Sequence, residues 1–180
     1  MVERLVKEVS VCLHNRCYVS ALTTALTLPD ICGKAKYPSE KTSIRYKHWL
    51  NDYVCNKQPF GLQADADTIY DLRCKLLHEG NPSIDKGKLK IKQFALIVRE
   101  NSAHITLEHS CFEVKPDGSR ECLCYNINIC HLCEKICEAA LAYFGDNKEK
   151  FNFFDYRIIN TDDETAKSFG LPEEVIKVKL

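Results

Sequence analysis

The sequence lacks the features that mark several classes of protein. Its 25 basic residues are balanced by 25 acidic residues, so the formal net charge is +0 and no overall positive field is present to hold nucleic acid by charge alone. The longest apolar stretches, such as residues 21–28, are much shorter than the roughly 20 residues that cross a bilayer. We therefore expect no transmembrane segment, and we expect any binding of anions to be local.

Cysteine, in contrast, is abundant, with 11 residues in a chain of 180. The count is odd and the first residues do not follow the charged-then-apolar pattern of a secretory leader, so we expect reduced thiols and a cytoplasmic protein. A hydrophobic content of 45% excludes extended disorder. The length suits one domain with a real core, and we predict a single domain over residues 1–180.

Two amphipathic segments open the chain. Residues 2–13 place apolar side chains at i, i+3, i+4 and i+7, which is the spacing of one helical stripe. A second helix is predicted from Tyr18 and should end near Leu28, because Pro29 disfavours helical geometry in the residue before it. Residues 29–42 show no apolar period and contain several turn formers, so they are predicted to form a long loop.

Two further helices are predicted before Pro82. A third helix should run from about residue 42 to residue 54. A fourth should cover residues 64–79, with acidic residues at its positive end and Gly80 after its last turn. Residues 1–82 are thus predicted to form a helical core.

The pattern then changes to alternating polar and apolar residues. Three segments, 88–100, 104–115 and 121–127, are rich in β-branched and aromatic residues and predict strands. We predict a small antiparallel insert over residues 83–128, followed by a closing helix at 129–145 and a C-terminal extension at 146–180. The expected fold class is mainly α, a helical bundle with a small antiparallel β insertion before its last core helix.

The fourth predicted helix contains an arginine in an unusual place. Arg73 falls inside the apolar arc that Leu72 and Leu76 help to form. A buried guanidinium costs several kcal/mol unless it is paired. Arg73 therefore needs a partner, which is either a phosphate at a water-filled interface or, in a purely structural role, an acidic residue such as Asp30 or Asp52.

His78 follows in the last turn of the same predicted helix. The negative end of the helix dipole and neighbouring Glu79 favour its protonated form, so it should titrate near neutrality. A permanent cation and such a histidine are a minimal set for cleaving RNA without a metal, with His78 as general acid or base and Arg73 stabilising charge on the phosphate. The alternative is a histidine that only complements the dipole.

The two candidate catalytic residues are not obviously aligned. Five positions on an ideal α-helix differ by about 140° in direction, so one helix does not readily present both groups to one phosphate. A two-fold dimer would combine the same helix from two subunits. Arg45, Tyr46 and Lys75 are predicted to bind the substrate beside this pair.

A second cluster, rich in cysteine, permits two interpretations. The spacing Cys-x-Cys followed by Cys-x-x-Cys is compatible with a zinc site. Three of the residues fall at i, i+3 and i+7 of the closing helix, where buried thiols commonly serve as small hydrophobic groups, and we favour that interpretation. We predict no metal and no cofactor. The residues concerned are Cys122, Cys124, Cys130, Cys133 and Cys137, with His131 beside them.

Residues 73–78, Arg-Cys-Lys-Leu-Leu-His, resemble the Arg-x(4-6)-His motif of HEPN domains, whose name stands for higher eukaryotes and prokaryotes nucleotide-binding. Three surrounding blocks are similar to those of an uncharacterised bacterial HEPN group, and together they span most of residues 1–80. The blocks are ALTLPDICG (25–33), RYKHWLNDYV (45–54) and YDLRCKLLHEG (70–80).

The resemblance implies a helical bundle, a homodimer with a composite site, and metal-independent ribonuclease activity through Arg73 and His78. It also implies RNA as the substrate, a role as a toxin or in phage defence, and an antitoxin or nucleotidyltransferase as a partner. Many active HEPN nucleases carry Asn, Asp or His directly after the arginine, whereas this chain has Cys74. The alternative is therefore a non-catalytic HEPN module that binds a nucleotide or another protein.

Overall fold

The computed structural model describes residues 1–55, 65–79, 94–98, 107–114, 116 and 120–153. Helices dominate this part of the chain, which confirms the predicted mainly α fold. No described helix combines the length and the apolar character that a membrane crossing needs. The α-helices are α1 (Val2–His14), α2 (Tyr18–Ala25), α3 (Leu28–Lys36), α4 (Thr42–Leu50), α5 (Ala66–Cys74) and α6 (Ile129–Asp146).

The prediction of a long loop over residues 29–42 is wrong for its first part, because residues 28–36 form α3. Pro29 lies in the first turn of this helix, where a backbone N–H has no partner within the helix and its absence costs nothing. α2 already ends at Ala25 and not near Leu28 as predicted, so the proline marks the beginning of α3 rather than the end of α2. Only residues 37–41 are left to connect α3 to α4.

Helices α3 and α4 pack closely through a glycine. A Cβ atom placed on Gly33 would lie 2.8 Å from the carbonyl oxygen of Arg45, which is shorter than such contacts allow. Only glycine lets the two backbones approach to this distance. The contact fixes α3 against α4.

The third and fourth predicted helices are present, but their last turns are not α-helical. After α4, residues Asn51–Cys55 form a first π segment, and after α5, residues Lys75–Glu79 form a second π segment. Asp65 caps α5, its side chain accepting a hydrogen bond of 2.7 Å from the backbone N–H of Thr68. π turns close on the fifth residue and occur frequently at functional sites.

The hydrophobic core lies between α6 and the N-terminal helices. α6 packs against α1, α2 and α3, and it buries Leu132, Ile136 and Ala140. The aromatic residues of the core come mainly from α4, where Trp49 is fully buried. A short 3-10 helix, Lys148–Phe151, follows α6 and packs Phe151 against Tyr143. The rest of the C-terminal extension, from residue 154 onwards, lies outside the described residues.

The sheet has three strands, β1 (Phe94–Ile97), β2 (Leu107–Val114) and β3 (Arg120–Asn128). The sheet is mixed: β2 pairs with β3 in the predicted antiparallel sense, but the prediction is wrong for β1, which pairs with β3 in parallel and gives the strand order β1-β3-β2. β3 leads directly into α6 and buries Ile127 and Asn128, which fixes it in the centre. Alternating residues identify strands, but they do not determine which neighbour a strand pairs with.

Replacing Gly33 by alanine should destabilise the protein by about 1 to 3 kcal/mol, because the added methyl group forces α3 and α4 apart. Gly145 is a matched control, since a Cβ there meets nothing within 4 Å and alanine is the better helix former by about 0.5 to 1 kcal/mol. Urea unfolding measures both effects. Gly33→Ala with wild-type stability would contradict the close contact.

Candidate functional site

Arg73 lies in the last turn of α5 and forms an ion pair with Asp30 in the first turn of α3. The carboxylate oxygen Oδ2 accepts hydrogen bonds from Nη2 at 2.9 Å and from Nε at 3.2 Å. The two side chains are only 17% and 21% exposed. The expected need of Arg73 for a partner is thus met inside one protomer, by one of the two acidic residues that the sequence offered.

The charge of Arg73 is retained in this partly buried site. Burial acts against the charged form, but the charge of Asp30 and its hydrogen bonds outweigh burial and raise the pKa of Arg73 above its ordinary value. The thiol of Cys74 lies close enough to Arg73 and to the hydroxyl group of Tyr70 to contribute to raising the pKa of both groups. Cys74 therefore belongs to the site, next to the guanidinium that it follows in sequence.

Tyr46 does not bind a substrate as predicted, because its side chain is fully buried beneath the ion pair. Its hydroxyl group donates a hydrogen bond of 3.1 Å to the backbone carbonyl of Leu26, and its ring meets Tyr70 edge-on at 5.3 Å. Burial, and then the nearby charge of Asp30, raise the pKa of Tyr46 well above its ordinary value. Tyr46 is a neutral core residue of α4 that contacts the end of α2 through Leu26 and α5 through Tyr70.

The other two predicted substrate-binding residues lie on either side of this core. Arg45 is partly buried, and its Nη1 donates a hydrogen bond of 3.4 Å to the carbonyl of Glu40 in the connection between α3 and α4. Lys75 begins the second π segment, directly after α5, and its side chain is also partly buried. Among the described contacts, those of Arg45 are with Glu40 and Gly33 and do not include Arg73.

The backbone of His78 lies in the second π segment, while its side chain lies outside the described part of the chain. A π turn closes on the fifth residue, so it brings positions 73 and 78 nearer in direction than the about 140° of an ideal α-helix. The difference in direction between residues 73 and 78 is therefore smaller than in a regular α-helix.

A second polar cluster, which the sequence did not reveal, lies at the C-terminal end of α3. Lys36 Nζ donates to Asp52 Oδ2 at 2.9 Å and to the hydroxyl oxygen of Tyr53 at 3.0 Å. The hydroxyl group of Tyr37 donates to the same oxygen of Asp52. Asp52, the other acidic residue considered for Arg73, is therefore engaged elsewhere.

The cysteine residues of α6 fit the interpretation of buried thiols that serve as small hydrophobic groups. Cys133 and Cys137 are buried, and burial raises the pKa of the Cys137 thiol to about 12. Such thiols stay protonated and pack as small apolar groups. The described residues contain no group of three or more potential metal ligands. The side chains of Cys122 and Cys124 lie outside the described part of the chain.

Asp52→Asn should lower the free energy of unfolding by about 1 kcal/mol at pH 7, because Asp52 is partly exposed and its pair with Lys36 is screened by solvent. The hydrogen bonds from Tyr37 and Lys36 hold the pKa of Asp52 below its ordinary value of 3.8. A lowered pKa stabilises the fold above pH 3.8, and that contribution is lost as the pH falls through the folded-state value.

The stability difference between wild type and Asp52→Asn should therefore disappear on acidification, which urea unfolding between pH 7 and pH 2.5 would measure. Exposed Asp146, at the end of α6, provides a control whose asparagine variant should differ by less than about 0.5 kcal/mol at every pH. A difference at Asp52 that stays constant down to the lowest pH would contradict the role of its charge.

Comparisons of the chain with protein-family models, curated proteins and solved structures find no match. The similarity of residues 70–80 and their surrounding blocks to HEPN domains therefore stays a prediction from the sequence.

Proposed function

We propose that this protein is a metal-independent endoribonuclease of HEPN type, with Arg73 and His78 as its catalytic residues. The single observation that supports this most directly is the second π segment. Its wider turn begins two residues after Arg73 and contains His78, directly after α5, and the side chain of Arg73 is only 17% exposed. Departures from α geometry of this kind are typical of functional sites.

The proposed reaction needs one proton acceptor, one proton donor and one fixed positive charge. His78 accepts the proton of a ribose 2′-OH, the 2′-oxygen attacks the adjacent phosphorus, and the bond to the 5′-oxygen breaks. The protonated His78 then gives this proton to the departing 5′-oxygen, and the other product ends in a 2′,3′-cyclic phosphate. Arg73 stabilises the negative charge that grows on the phosphoryl oxygens. The requirement for a 2′-OH restricts the substrate to RNA.

The quaternary and cellular setting forms part of the same proposal. An isologous homodimer would place the ends of two α5 helices together and let each subunit contribute to a composite site. We further propose that the protein acts in the cytoplasm as a toxin or phage-defence effector that an antitoxin or nucleotidyltransferase restrains. Lys75, which begins the second π segment, and Arg45 are the proposed substrate-binding residues.

A second candidate function is a non-catalytic module that uses the same surface to bind a nucleotide or a partner protein. Two observations favour it. Asp30 neutralises Arg73 within one protomer, as a structural arginine requires, and Cys74 takes the place of the polar residue that follows the arginine in many active HEPN nucleases.

The wild-type protein should cleave structured RNA in the presence of EDTA and leave 2′,3′-cyclic phosphate ends. Arg73→Ala and His78→Ala should each lower the cleavage rate by about 100-fold or more, because each removes a group that acts in the transition state. Gel analysis of end-labelled RNA measures the rates and the termini.

Two variants serve as matched controls. Arg4→Ala removes an exposed arginine of α1 that pairs with Glu8, and His14→Ala removes a histidine from the last turn of the same helix. Both should cleave RNA at the wild-type rate. Intact RNA after incubation with the wild type, or cleavage only after a metal is added, would exclude the proposed activity and leave the binding module.

A further inference from the structure

We propose that Asp30 is the positioning residue of this site and has two effects. It orients the guanidinium of Arg73, and its negative charge lowers the affinity of the site for phosphate. The proposal rests on the ribonuclease function proposed above. It goes further because it assigns a role to a residue that carries no proton in the reaction and is 43 positions away from Arg73 in sequence.

The orientation follows from the geometry of the ion pair. Nε and Nη2 of Arg73 both donate to one oxygen of Asp30, at 3.2 Å and 2.9 Å. Two donors of a planar, rigid guanidinium that share one acceptor fix the rotation of the group as well as its distance. The plane of Arg73, and with it the direction of the other donors, is therefore determined by Asp30.

The carboxylate is itself held in place by the backbone. Asp30 follows Pro29 in the first turn of α3, where proline fixes one backbone dihedral. α3 is held against α4 at Gly33, where only glycine lets the two backbones approach so closely. Asp30 is therefore a fixed support for the guanidinium.

The same contact reduces the positive charge that a phosphate meets. At 2.9 Å from Nη2, the carboxylate of Asp30 repels an approaching anion almost as closely as the guanidinium attracts it. The low exposure of both side chains limits the screening of this repulsion by solvent. Asp30 should thus lower the affinity for the ground-state phosphate while it increases the rate of the chemical step.

Removing the charge of Asp30 should therefore change kcat and phosphate affinity in opposite senses. Asp30→Asn keeps the shape of the side chain, and we expect kcat for RNA cleavage to fall by about 10-fold to 100-fold as the guanidinium loses its orientation. The dissociation constant for inorganic phosphate, measured by NMR titration without RNA, should fall about 3-fold to 10-fold. A residue that only stabilises the fold would not produce this split.

The other end of α3 provides the matched control. Asp52→Asn also removes a carboxylate that pairs α3 with another element, and it should leave kcat and phosphate affinity unchanged. Asp30→Asn combined with Arg73→Ala should bind phosphate no more tightly than Arg73→Ala alone, because without the guanidinium no phosphate is held close enough to residue 30 for the repulsion to matter. Asp30→Glu keeps the charge but moves it, so phosphate affinity should stay near the wild-type value while kcat falls.

The outcomes separate this inference from the proposed function. If the wild type does not cleave RNA, the ribonuclease proposal fails and the phosphate titrations alone decide the role of Asp30. Unchanged or weaker phosphate binding by Asp30→Asn overturns the inference. If the wild type cleaves RNA, a kcat of Asp30→Asn equal to that of the wild type also overturns it. If Asp30→Asn does not fold, Asp30→Glu decides, and wild-type kcat for that variant overturns the positioning role.

Discussion

The ion pair between Asp30 and Arg73 is the interaction on which the arrangement of this molecule depends. It joins the first turn of α3 to the last turn of α5, over the buried ring of Tyr46 from α4. A charge in such a partly buried position is tolerated only with its partner, because a charge left alone away from water costs several kcal/mol. The pair therefore links α3 to α5 and fixes the guanidinium of Arg73 against Asp30.

α3 connects this site to the rest of the bundle. Its N-terminal end supports Arg73, its middle packs against the backbone of α4 at Gly33, and its C-terminal end pairs with the first π segment through Lys36. The N-terminal end of α3 thus pairs with Arg73 of α5, which the second π segment follows. Its C-terminal end pairs with Asp52, which lies in the first π segment. We infer that the position of α3 determines the geometry of the Asp30–Arg73 pair and of the cluster formed by Lys36, Tyr37, Asp52 and Tyr53.

The sequence predicted much of the fold and part of the site. Amphipathic spacing located α1, α4, α5 and α6, because one face of each helix packs into the core. The burial of Arg73 was correctly predicted, since a charged residue inside an apolar arc is a local feature of the pattern. The sequence left its partner open between a phosphate at an interface and an acidic residue such as Asp30 or Asp52, because the choice depends on how α3 and α5 pack.

Other features could not be predicted because they depend on tertiary contacts. Pro29 lies at the beginning of α3, and local preference alone does not distinguish a helix start from a loop. The π segments and the central position of β3 arise from packing, which no periodicity records. Tyr46 is an aromatic residue with a hydroxyl group, as many binding residues are. Only its burial against Leu26 and Tyr70 shows that it belongs to the core.

The most direct test of this account is a double-mutant cycle on Asp30 and Arg73, with the free energy of unfolding measured for Asp30→Asn, Arg73→Gln and the double variant. A hydrogen-bonded, partly buried pair should give a coupling energy of about 1 to 3 kcal/mol, so that the double variant is more stable than the sum of the single losses predicts. Additive losses, with a coupling energy near zero, would contradict the claim that this ion pair organises the site.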